Sequence, residues 1–121
     1  AGIEPAVALA IPKAQQFAEK IHAYTFPWSG RINTRTKDLV DLVLLIERGV
    51  PDADAIRAAL GATFSARATH PLPDVLPAPP DAWKDEFPSM AAEAGISAGD
   101  YVEAFRLLDE FWRGKSLGTA R

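Results

Sequence analysis

Apolar residues recur along most of the chain at the spacing of helices that bury one face. Phe17, Ile21 and Tyr24 stand at i, i+4 and i+7 behind Pro12, which suits a first helical turn, so a helix is predicted over about residues 12–26. Pro27, Ser29, Gly30 and Asn33 then break the pattern and make a polar loop with Trp28 inside it. Asn33 or Thr34 can cap a second helix that runs to about Arg48, where Gly49 and Pro51 end it. Asp52 or Asp54 opens a third, reaching about Arg67. Prolines at 71, 73, 77, 79 and 80 turn the next stretch into an extended connector. A fourth helix is expected over about 81–94, interrupted or kinked near Pro88. Ser97 is positioned to cap a fifth, which carries Tyr101, Phe105, Leu108 and Trp112 on one face and ends at Gly114. Residues 6–11, AVALAI, depart from this rhythm and read as an extended segment with no partner strand in the chain. The expected fold is all-α (mainly α): a four- or five-helix bundle with one short extended segment at the amino terminus.

The second helix carries the strongest chemical signal. Its run from Leu39 to Ile46 is apolar apart from Asp41, and Asp38 lies three residues earlier on the same face. A carboxylate against so apolar a wall needs a cation or several hydrogen bonds. Lys20, one turn from Phe17 and Tyr24, can lay its stem on the core and bring its ammonium to either aspartate. Taken alone, this pattern fits a salt bridge that joins two helices. It also fits part of an anion site, because Arg31, Arg35 and Lys37 cluster at the start of the second helix, where the helix dipole favours phosphate oxygens. Tyr24 and Trp28 could stack on a base, although aromatics at helix ends more often serve the core. His22 and His70 read as surface or hydrogen-bonded residues.

Composition narrows the classes. A chain of 121 residues makes one domain, and a net charge of −3 with 24% charged residues argues against general affinity for nucleic acid. Without cysteine there is neither a disulfide framework nor a thiolate metal site, which suits the cytoplasm. No stretch reaches the length of a membrane span. A first residue of Ala1 suggests processing or a piece of a longer polypeptide.

Glu19-Lys20-Ile21-His22-Ala23, followed by Arg35-Thr36-Lys37-Asp38-Leu39-Val40-Asp41-Leu42, resembles the later motifs of nucleotidyltransferase toxins of the AbiEii/AbiGii type, EKLxA and RxKDLxDL. The local match spans residues 12–48. In that family a polymerase-beta-like amino-terminal half carries a Gly-Ser motif and metal-binding carboxylates, and a helical carboxy-terminal half closes the nucleotide cleft. The resemblance implies that the whole chain, residues 1–121, is that helical half. It also implies that Lys20 contacts the triphosphate of an NTP, that Asp38 or Asp41 completes the active site, and that Arg35 and Lys37 are accessory. The Gly-Ser loop and paired acids are missing from these 121 residues. Mg2+ would thus be bound mainly by the absent half, residues 6–11 would belong to its sheet, and this piece alone would not transfer nucleotides to an RNA or protein acceptor. The competing expectation is a non-catalytic module that binds a protein partner, such as an antitoxin, through the connector and a surface of Trp83, Phe87, Trp112 and Leu117. An upstream reading frame with a Gly-Ser motif favours the enzyme, and a start codon just before Ala1 the module.

Overall fold

The computed structural model describes residues 11–26, 36–49 and 52–119. Five α-helices and no strand occur among the described residues: α1 Lys13–Thr25, α2 Thr36–Glu47, α3 Ala53–Arg67, α4 Phe87–Ala94 and α5 Tyr101–Gly114. The all-α expectation therefore holds. Residues 6–10, the loop with Trp28, and the Asn33 and Thr34 caps fall outside the described residues.

Each helix begins and ends where local chemistry allows. Asp52 caps α3 by accepting a hydrogen bond from the Ala55 amide at 2.9 Å, which settles the choice between Asp52 and Asp54. Gly95, at φ +78°, supplies the left-handed turn that closes α4. Two expectations need correction at this end of the chain. Residues 81–94 are interrupted ahead of Pro88 rather than kinked at it, and the α-helix is shorter than expected: Asp81–Trp83 is a 3₁₀ turn, and α4 starts only at Phe87, so Pro88 falls in a first turn that needs no amide donor there. Ser97 does not cap α5, because Asp100 does so by accepting from the Glu103 amide at 2.8 Å. The Ser97 amide and hydroxyl instead bond to the Glu47 carboxylate at the end of α2.

The buried stripes meet in one core. α1 contributes Phe17, Ile21 and Tyr24, α2 Leu39, Val40, Leu42 and Val43, α3 Ile56, Leu60 and Phe64, and α5 Ala104, Leu108 and Trp112. α1 packs against both α2 and α3, while α2 also packs against α4 and α5. α2 is thus central, which explains why its sequence is apolar around most of its circumference. The proline-rich connector is fastened rather than loose. The Tyr24 hydroxyl donates to the Pro77 carbonyl at 2.7 Å, the Trp112 indole donates to the Asp74 carbonyl at 3.1 Å, and Leu76 is buried. Proline supplies the fixed backbone, and these bonds satisfy carbonyls that no helix could.

Trp83, Phe87, Trp112 and Leu117 are all buried, at 1%, 0%, 1% and 0% exposure. The surface on which the partner-binding expectation was built therefore does not exist. Large aromatic side chains carry the most apolar area, so core packing claims them first.

Candidate functional site

The crossing of α1 and α2 brings three charged side chains together. Lys20, on the flank of the α1 stripe, places Nζ 3.3 Å from Asp38 Oδ1 and 2.9 Å from Asp41 Oδ2. Lys37, one turn before Asp41 on α2, approaches the same Oδ2 at 3.2 Å. Three residues correspond to about 300° of helical rotation, so Asp38 and Asp41 both face α1 while their directions differ by about 60°. Their depth follows from that offset. The Asp38 side chain is 4% exposed and that of Asp41 20%. Asp41 is set among leucines in sequence, yet it is the shallower of the two. The apolar neighbours in sequence point elsewhere around the helix, and only Asp38 turns into the packed crossing.

Lys20 is the hinge of the arrangement. Burial works against its ammonium, but the hydrogen bond and charge of Asp41, then the charge and hydrogen bond of Asp38, outweigh it and hold its pKa above the usual lysine value. The group is therefore a permanent cation at neutral pH, with 36% of its side chain still exposed. Asp38 also sits in the first turn of α2, where the dipole favours an anion. Thr36, fully buried one turn upstream of Val40, gives its hydroxyl to the Glu86 carboxylate and ties the start of α2 to the turn before α4.

Of the predicted phosphate-binding residues, Lys37 stands at the edge of this cluster, 74% exposed, and Arg31 and Arg35 lie outside the described residues. Among the described residues no group of three or more metal-ligating side chains converges. Two carboxylates already meeting an ammonium do not make the octahedral oxygen cage that Mg2+ requires, so this chain's described residues do not fit a magnesium site on their own.

His22 and His70 form a second polar cluster, their rings 4.6 Å apart beside Phe26 and Phe64. Thr25 Oγ1 donates to the Ile21 carbonyl at 2.8 Å and so accepts from His70 Nε2, also at 2.8 Å. With His70 neutral, its Nδ1 accepts from Thr69 Oγ1 at 3.1 Å, and Thr69 accepts from His22 Nε2 at 2.8 Å. Every link is satisfied with both imidazoles neutral. Burial lowers both pKa values, with Arg67 adding to the effect at His22 against an opposing Glu19, and His22 adding to it at His70. The two threonine partners were not foreseen, since nothing in the pattern relates Thr25 to residues 45 positions away.

Residues 3–109 match a family model described as the nucleotidyl transferase AbiEii toxin of a type IV TA system. No curated protein matches the chain.

Proposed function

This chain belongs to the AbiEii nucleotidyl transferase toxin family, and from that premise we propose that its bundle forms the helical wall of an NTP cleft. The observation that supports the reading is the Lys20 ammonium held between Asp38 and Asp41 at 3.3 and 2.9 Å, still partly open to solvent. Asp38, the deeper of the two, anchors the lysine. Asp41, at the edge, is the carboxylate that faces the substrate. Lys20 then presents a fixed positive charge to the triphosphate, with Lys37, Arg31 and Arg35 as accessory cations.

Nucleotidyl transfer joins an acceptor oxygen to the α-phosphorus and breaks the bond to pyrophosphate, on which negative charge grows. A preorganised ammonium is worth most where charge develops, because no solvent must reorganise to meet it. Mg2+ would supply further charge neutralisation when bound, and we assign its ligands to the family's polymerase-like half rather than to the described residues. The acceptor is an RNA or a protein group, and an antitoxin is the partner that restrains the activity. The bland alternative, a salt bridge that only joins α1 to α2, uses the same contacts. Transfer of a radiolabelled nucleotide by whole-enzyme Lys20→Ala and Asp41→Ala variants, each compared with its melting curve, separates the two. Full activity in Lys20→Ala defeats the proposal.

A further inference from the structure

The helix that carries Lys37, Asp38 and Asp41 is tied to both ends of α4 by polar side chains. At the start of α2 the fully buried Thr36 hydroxyl donates to the carboxylate of Glu86, the residue just before α4. At the end of α2 the Glu47 carboxylate accepts from the Ser97 amide at 3.2 Å and from the Ser97 hydroxyl, just beyond α4. Both glutamates are exposed, and each bond spans 50 residues of sequence. Start meets start and end meets end, so α2 and α4 run in the same direction and are clasped at both ends.

Between the clasps the packing lapses. The surface opens there into a cleft of about 490 Å3, lined by Val40, Asp41 and Leu44 of α2 and by Met90 and Ala94 of α4. Apolar contact is non-directional, so on this flank it does little to fix the rotation of α2 about its axis. Asp41 stands on the same flank, with Oδ2 2.9 Å from Lys20 Nζ and 3.2 Å from Lys37 Nζ. A side-chain tip lies about 5–6 Å from a helix axis, so a turn of about 20° moves it by about 2 Å. That displacement is enough to break the direct contact with Lys20 on α1. It leaves the contact with Lys37 intact, because that lysine turns with the same helix.

We propose that Glu86 and Glu47 are positioning residues, whose bonds to Thr36 and Ser97 hold α2 at the rotation that joins Asp41 to Lys20. The inference rests on the reading of Lys20 as a triphosphate ligand, since only then does the placement of its ammonium affect the reaction. Neither glutamate touches substrate. Each acts through the geometry of the charged cluster, where a small misplacement is costly in rate.

Two double variants of the whole enzyme test this. Glu47→Ala with Glu86→Ala removes both clasps at exposed positions, whereas Glu47→Gln with Glu86→Gln keeps an acceptor oxygen at each. In steady-state nucleotide transfer the alanine pair is expected to lose about tenfold in kcat, part of the roughly 10²-fold that misplacement by 1 Å can cost. The glutamine pair is expected to recover most of that loss. In a Lys20→Ala background the alanine pair is expected to cost nothing further, because the clasps act only through that lysine. The single variants Glu47→Ala and Glu86→Ala carry the same comparison if the pair melts below the assay temperature. Wild-type activity in the alanine variants, a loss that glutamine does not recover, or an equal loss with and without Lys20 overturns the positioning role alone. A Lys20→Ala enzyme as active as the wild type overturns the triphosphate reading and this inference with it.

Discussion

Replacing Lys20 by alanine is the perturbation that separates catalysis from architecture, because the two roles predict different ratios of lost activity to lost stability. The Lys20 side chain is 36% exposed, while its partners are 4% and 20% exposed. Breaking a buried pair destabilises by about 3–5 kcal/mol, whereas exposed pairs contribute about 0–1 kcal/mol. A lysine with a third of its side chain in water lies between these limits, so solvent screening discounts the loss to about 1–2 kcal/mol. For a chain of this size that shifts the melting temperature by about 4–10 °C. With a typical total stability of about 5–15 kcal/mol, the variant remains almost wholly folded at room temperature. Removing one preorganised electrostatic contact to a developing charge, in contrast, slows catalysis by about 10²- to 10³-fold. Radiolabelled nucleotide transfer by the whole enzyme at 25 °C, alongside thermal denaturation, measures both quantities. Activity that persists in Lys20→Ala, or that declines only in step with the unfolded fraction, refutes the catalytic reasoning.

Three further outcomes follow from other contacts. The pKa values of His22 and His70 are lowered in the folded protein, so stability is full above the unfolded value of about 6.5 and falls as pH drops toward the folded values; melting temperature should decline from pH 7.5 to 5, and an undiminished decline in the His22→Gln/His70→Gln double variant would refute the assignment. In Gly118→Ala the new Cβ would lie 2.3 Å from the Asp74 carbonyl oxygen, the same oxygen that accepts from Trp112, so urea denaturation should show a loss of about 1–3 kcal/mol. Thr36→Val keeps the shape of a fully buried side chain but removes its hydrogen bond to Glu86, and the same assay should show a loss of about 1–2 kcal/mol, whereas an unchanged midpoint would mean that the bond adds nothing.

Much of the site was legible in sequence for a simple reason. A lysine flanking an apolar stripe and two acids in an apolar helix each need a partner of opposite sign, and this chain has few candidates near the core. The contact of Lys20 with both aspartates follows from that need together with the packing of α1 on α2. Which acid lies deeper was not legible. Sequence neighbours of Asp41 are leucines, yet depth is set by the angle at which a side chain leaves the helix and by what crosses there. Ser97 failed as a cap for a similar reason: its hydroxyl suits a helix start, but Glu47, 50 residues away in the chain, reaches it first.

The sequence by itself determined the helical class, the stripes of α1 and α5, the proline connector and the motif residues that mark the family, because helical periodicity and cap chemistry act over a few residues. Only the tertiary structure decided that Trp83, Phe87, Trp112 and Leu117 are core rather than surface, that His22 and His70 share two threonines, and that a cleft opens between α2 and α4 beside Asp41. Those features join residues tens of positions apart. Their partners are chosen by how whole helices pack, and local pattern carries no record of that choice.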